Sequence, residues 1–140
     1  MDESVRDVMT AVLCTLSPND TVMAAAHAMR ANDIGDVIVQ EDNRLFGILT
    51  DRDIVVRALA EGANLDTTMV AAICSRDLTT IAPTASVGEA VRLMRDRAIR
   101  RIPVVDGRDH VVGIVSLGDV AVERDRRTAL ADISAAPPNV

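Results

Sequence analysis

Apolar positions in this chain recur with two different periods, and the two alternate in the same order twice. Val22, Ala25, Ala26 and Met29 follow the i, i+3, i+4, i+7 spacing that lays one stripe along a helix, which predicts a helix over about residues 21–32. Val87, Ala90, Val91 and Met94 repeat that stripe 65 positions later, behind Pro83 and a capping box of Ser86 and Glu89. Short apolar runs bounded by turn residues surround both helices and predict strands at 12–16, 36–39 and 45–49, and again at 78–81, 102–105 and 111–115. Glu41-Asp42-Asn43 and Asp106-Gly107 read as the turns of two hairpins. Thr50 and Ser116 stand where a second helix of each copy starts. The first carries Ile54, Ala58 and Leu59 and ends at Gly62; the other runs into the charged stretch Glu123 to Arg127. Ser4 caps one helical turn at the start, and residues 70–74 match it in the second copy.

Each copy therefore reads helical turn, β, α, β, β, α. The offset of 65 grows to 66 between Gly47 and Gly113, so the second hairpin holds one extra residue. The expected fold class is α+β, an α/β sandwich-like arrangement of two β-α-β-β-α repeats related by a pseudo-twofold axis. The repeats occupy residues 1–66 and 67–128, with a disordered tail at 129–140. A single unit of this size buries its own faces poorly. Two packed together would place clefts where the hairpins meet, each walled by both copies.

Composition narrows the chemistry. Phe46 is the single aromatic residue among 140, so the core is aliphatic, and base-stacking nucleic-acid modules are disfavoured. A formal charge of −6 argues against a partner held by its phosphate backbone. It leaves room for a single nucleotide in a local positive pocket. No apolar run is long enough to span a membrane, and the acidic start lacks a signal-peptide pattern, so a cytoplasmic location is expected. Cys14 and Cys74 form no CxxC and occupy inequivalent places, which suits free thiols in a reducing compartment. His27 and His110 lack ligand spacing to cysteines or acids, so no metal site is expected. Neither a nucleophile–base pair nor a glycine-rich phosphate loop is visible, so no catalytic residue is assigned and the chain is not expected to be an enzyme.

The two stretches Gly47-Ile48-Leu49-Thr50-Asp51-Arg52-Asp53-Ile54 and Gly113-Ile114-Val115-Ser116-Leu117-Gly118-Asp119-Val120 share the pattern Gly, two aliphatics, a hydroxyl, two spacers, Asp, aliphatic. In this the chain resembles the cystathionine β-synthase (CBS) domain, present twice as a tandem pair, or Bateman module, over about residues 5–125. It is most similar to small stand-alone bacterial CBS-pair proteins, including the hypoxic-response type. The resemblance implies a regulatory module that binds AMP, ATP or another adenosyl compound and senses energy or metabolite state. It also implies a homodimer shaped as a flat disk and an unidentified protein target, with no other cofactor, no nucleic acid and no membrane.

In that role Thr50 and Ser116, at helix N-termini, are placed to donate to a phosphate favoured by free N–H groups and the helix dipole. Asp53 and Asp119, one turn on, would accept from two adjacent ribose hydroxyls. The backbone near Cys14 and Thr79 would face the base, and Ile102, Pro103 and Ile114 would hold adenine between aliphatics. Arg100 and Arg101, and more weakly Arg52, would reach phosphates. Each feature has a plainer reading beside it. The hydroxyl–acid pairs suffice as helix caps, Arg100 and Arg101 as a solvated face, and Arg52 as a partner of Asp51. The copies differ, with Ile38 where the second has Pro103, and with Asp51-Arg52 where it has Leu117-Gly118. Val55, Val56 and Ala58, and Val120, Ala121 and Val122, are expected as exposed aliphatics that pair two copies of the chain. A dimerisation scaffold without a ligand is the alternative function.

Overall fold

The computed structural model describes residues 3–12 and 14–135, with side-chain surroundings as far as Arg126. In chain order the elements are α1 (Val5–Val8), β1 (Thr15–Leu16), α2 (Val22–Asn32), β2 (Asp36–Glu41), β3 (Arg44–Thr50) and α3 (Asp51–Asp53). A π-helical stretch (Ile54–Leu59) continues α3, and a 3-10 turn (Val70–Ala72), α4 (Val87–Arg97), β4 (Arg101–Val105), β5 (Val111–Ser116) and α5 (Leu117–Ala135) follow. Mixed helix and small sheets give the expected α+β class.

The chain folds into two compact units. The first-repeat unit holds Val12–Thr79 together with the hairpin tip Val105–Val111. The second-repeat unit holds the opening segment up to Ala11, Thr80–Val104 and the chain from Val112 on.

In the first-repeat unit the sheet order is β1-β2-β3, with β1 parallel and β3 antiparallel to β2. Leu16 pairs with Val39, and Val39 with Gly47. The hairpin closes through Asp42 and Asn43 at φ 54° and 64°, the two left-handed residues of a tight two-residue turn. The α2 helix starts where the Thr21 hydroxyl accepts from the Ala24 amide (3.1 Å) and stops at Asp33 in the left-handed region, φ 53°. Its stripe residues Val22, Ala25 and Met29 are buried against Val37, Val39 and Leu49.

The second-repeat unit repeats this plan. Ile81 bridges Val104 in parallel, the Leu16–Val39 register moved by 65, and here the entry strand is reduced to that one bridge. Ser86 caps α4 by accepting from the Glu89 amide (3.1 Å), and α4 ends at Ala98, φ 53°. Val87, Ala90 and Met94 are buried with Ile102, Val104 and Val115.

The longer hairpin departs from its expected chemistry. Asp106 and His110 pair through the Asp106 amide (3.0 Å), leaving a three-residue loop whose left-handed residue is Asp109, φ 64°, rather than Gly107. The Asp106 carboxylate accepts from the Arg108 and His110 amides at 2.8 and 3.0 Å. Those bonds hold its carboxyl below the usual range.

The opening turns change places. Val5 is fully buried in the second-repeat core, and its amide donates to Ala85 O at 2.8 Å. Val70 and Ile73 are buried in the first-repeat core, with the Val70 amide on Asp20 O at 2.8 Å. Each repeat's opening turn thus completes the unit built on the other repeat.

Three other expectations need correction. The helix after Thr50 is α-helical for one turn and then π-helical; it buries Ile54 and Ala58 but leaves Leu59 exposed. Ala58 and Val120 face inward and are not surface aliphatics, whereas Val55, Val56, Leu59 and Val122 are 53%, 46%, 60% and 69% exposed. The chain past residue 128, expected as a disordered tail, continues α5 to Ala135, because it is rich in alanine and meets no helix breaker before Pro137. Residues 136–140 lie outside the described residues.

Candidate functional site

Each unit contains one copy of the signature, at the point where the second strand of its hairpin gives way to a helix. In the second-repeat unit Ser116 ends β5 and opens α5. Its hydroxyl accepts from the Asp119 amide (3.1 Å), and Asp119 Oδ2 accepts from the Ser116 amide (3.0 Å). This is a reciprocal capping box, and it leaves the Ser116 hydroxyl proton free to donate outward. The Leu117 amide is taken by the Arg100 carbonyl (2.8 Å), which fixes the backbone of Arg100 at the helix start.

A further residue closes on this acid. Thr10, from the opening segment, pairs with Ile114 through two backbone hydrogen bonds of 2.8 and 2.9 Å, and its hydroxyl lies 3.2 and 3.3 Å from the two oxygens of Asp119. Gly113 makes this crossing possible. A Cβ there would sit 2.6 Å from Met9 Sδ and 2.9 Å from Thr10 O.

The first-repeat unit builds the same frame with other partners. The Thr50 hydroxyl accepts from the Asp53 amide (3.1 Å), and Asp53 Oδ2 accepts from the Thr50 amide (2.9 Å). The Asp51 amide goes to Gly35 O at 2.9 Å, as Leu117 goes to Arg100. Ser75, which is Thr10 moved by 65, pairs with Ile48 through bonds of 3.0 and 2.9 Å. A Cβ on Gly47 would stand 2.6 Å from Ser75 O and 3.0 Å from Cys74 Sγ.

Cations surround this second frame. Arg57 Nε is 3.7 Å from Asp53 Oδ1, and Arg57 Nη1 donates to Ile73 O at 3.2 Å. Arg76 lies 3.6 Å over the Phe46 ring and donates through Nε to Phe46 O at 3.3 Å. Burial raises the Cys74 thiol pKa, and the nearby Arg76 charge opposes that.

The structure sorts the residues expected from sequence. Ser116 and Asp119 meet in one frame with the Arg100 backbone and Ile114; Thr50 and Asp53 meet in the other. The Arg100 and Arg101 side chains are exposed at the start of β4. Ile102 and Pro103 are fully buried, Ile102 within the second-repeat core. Arg52 is exposed, and it is its backbone amide that donates to Asp51 Oδ1 (2.8 Å). Thr79 is half-buried in a stretch without regular structure, and Cys14 is half-buried against the first-repeat core. Thr10, Ser75 and Arg57 were not legible as site residues. The signal for the first two was a hydroxyl following a sulfur residue, Met9-Thr10 and Cys74-Ser75, at the offset the stripes already share. Among the described residues no group of three or more His, Cys, Asp or Glu is placed to hold a metal ion, and no helix is long and apolar enough to cross a membrane.

Comparison with known proteins gives this frame a family. The model of the CBS domain matches residues 5–59 and again 70–125. The chain is 42% identical over 121 residues to the CBS domain-containing protein YhcV of Bacillus subtilis, spanning 86% of this chain and 85% of that one. It is 36% identical over 119 residues to hypoxic response protein 1 of Mycobacterium tuberculosis, spanning 84% and 82%. A crystal structure of hypoxic response protein I with two coordinated zinc ions superposes with a TM-score of 0.76 at 34% identity, covering 86% of this chain and 98% of that one. A CBS domain pair solved in complex with 5′-methylthioadenosine and S-adenosyl-L-methionine superposes with a TM-score of 0.76 at 27% identity, covering 86% and 98%.

Proposed function

The chain belongs to the CBS domain family, and from that premise we propose that it is a non-enzymatic regulatory module that binds AMP, ATP or a related adenosyl compound and reports energy or metabolite state to a protein target in the cytoplasm. The observation that carries this reading is the frame of Ser116, Asp119 and Thr10. A hydroxyl with a free proton at a helix N-terminus suits a phosphate, and a fixed carboxylate one turn on suits a ribose diol. The frame recurs at Thr50 and Asp53, which makes two candidate sites. The adenosyl ligands of the related CBS pair support the ligand class.

Assembly as a homodimer belongs to the same proposal. Val55, Val56 and Leu59 of the first-repeat unit, and Leu117 and Val122 of the second, leave large aliphatics on the surface. In the second-repeat unit a groove of about 1000 Å³ between α4 and α5 mixes Val91, Met94 and Ala121 with Arg92, Arg95, Arg124 and Asp125. A patch carrying both signs of charge and an apolar floor is suited to a second copy of itself. This surface also favours a second reading, a dimerisation scaffold without a ligand.

Mass spectrometry of small molecules released from the purified protein, followed by melting with AMP, ATP, NAD and S-adenosylmethionine, tests the proposal. A ligand that binds the native state raises the melting temperature with its concentration. No released adenosyl compound and no shift at millimolar ligand would leave the scaffold reading standing, and turnover of any of these compounds would contradict the non-enzymatic assignment.

A further inference from the structure

We infer that Arg57 is the positioning residue of Asp53, and that the two signature carboxylates are held by partners of different kinds, one cationic and one neutral. The inference rests on the adenosyl-binding reading above and assigns what makes the two sites unequal.

Asp53 and Asp119 share their capping geometry to within 0.1 Å, so the caps cannot distinguish them. Their outer partners do. Asp53 Oδ1 faces the Arg57 guanidinium at 3.7 Å, and the other arm of that guanidinium is tied to Ile73 O at 3.2 Å. The anchor matters because Ile73 leads into Cys74 and Ser75, the segment that crosses Gly47. Arg57 therefore links the carboxylate to the wall of its own site. In the second-repeat unit the matching position, 66 residues on, is Glu123, which is buried and ion-paired to Arg126 at 2.9 Å. There the outer partner of Asp119 is the uncharged hydroxyl of Thr10.

The difference predicts different behaviour toward the ribose. A carboxylate oriented by an exposed cation loses that orientation as salt screens the pair, whereas one oriented by a neutral hydroxyl does not. The ratio of affinities for AMP and 2′-deoxy-AMP isolates this effect, because both carry the same phosphate. At the first-repeat site the ratio falls with ionic strength and depends on Arg57; at the second-repeat site it is insensitive to salt and depends on Thr10.

Amide resonances of Gly47 and Gly113 in the full-length protein report the two sites separately during titration with AMP and with 2′-deoxy-AMP. Arg57→Gln should lower the discrimination read at Gly47 about two- to five-fold. Arg57→Lys should restore part of it, and the ratio at Gly113 should not move. Thr10→Val should do the reverse. An unchanged ratio at Gly47 in Arg57→Gln, or an equal fall at both glycines, overturns the inference. Should Arg57→Gln fail to fold, the salt series on the wild type decides: parallel behaviour of the two glycines overturns the inference, and a fall at Gly47 alone supports it. Absence of any AMP response at either glycine in the wild type would instead overturn the adenosyl reading, and this inference with it.

Discussion

The hydroxyl of Thr10 hydrogen-bonds the carboxylate of Asp119 across 109 residues of sequence, at 3.2 and 3.3 Å from its two oxygens. The bond exists because the opening segment folds against β5 rather than with the repeat that follows it. The carboxylate of the second signature is thereby tied to the segment that follows α1.

The signature glycines should not tolerate alanine, and not equally. A Cβ on Gly47 meets the backbone oxygen of Ser75 at 2.6 Å, which cannot step aside. At Gly113 the nearest atom is the flexible Met9 Sδ, with Thr10 O next at 2.9 Å. Urea unfolding should show Gly47→Ala losing about 2–3 kcal/mol and Gly113→Ala about 1–2 kcal/mol. Equal stability of both variants and wild type would mean that the crossing segments do not pack as described.

Ala98 offers the opposite sign. It ends α4 at φ 53°, where a side chain is strained and glycine is not. Ala98→Gly should stabilise the protein by about 0.5–1 kcal/mol, a rare gain from removing a side chain. Asp33 holds the matching place on α2, and Asp33→Gly should gain less, since Asp accepts this conformation more readily. Thermal unfolding of the two variants checks the order.

The thiols should react at different rates. Cys14 is half-buried, while Cys74 is buried and burial raises its pKa, so less of it is thiolate near neutral pH. A small thiol reagent should modify Cys14 first and Cys74 only slowly, with the Cys74 rate rising as pH approaches the alkaline range. A saturating adenosyl ligand should slow Cys14 if its strand borders the base. Equal Cys14 rates with and without ligand would remove it from the site.

The exposed aliphatics predict assembly. Light scattering at micromolar concentration should give twice the chain mass, and Val122→Asp, at a position 69% exposed, should shift the equilibrium toward monomer without unfolding it. A monomeric wild type would contradict the homodimer.

Much of this architecture was legible in the sequence. Duplicated stripes at Val22 and Val87 and the shared Gly–hydroxyl–Asp pattern fixed the repeat, and the register of Ile81 on Val104 follows that of Leu16 on Val39. Periodicity could not show where the opening turns go. The sequence marks a helical turn after Ser4 and a matching one at 70–74 without naming the sheet either packs on. Thr10 was missed for the same reason, because its role appears only once that turn lies across Gly113. The π-helical stretch at Ile54 was illegible because the apolar spacing of Ile54, Ala58 and Leu59 reads equally well as α-helix. Arg57 reads in sequence as an ordinary surface charge, and only its distance to Asp53 gives it meaning.

Calorimetry with AMP on Asp119→Asn and Asp53→Asn tests the central claim most directly. Asparagine keeps the capping role, so both proteins should fold. The second-repeat frame has Arg100 and Arg101 at the neighbouring strand start, and Leu117-Gly118 where the first has Asp51-Arg52 between hydroxyl and acid. Losing hydrogen bonds to a charged ribose acceptor removes about 1.5–3 kcal/mol, or roughly ten- to a hundred-fold in affinity. Asp119→Asn should weaken binding by that factor and Asp53→Asn by less. Abolished binding in Asp53→Asn beside intact binding in Asp119→Asn would contradict the account.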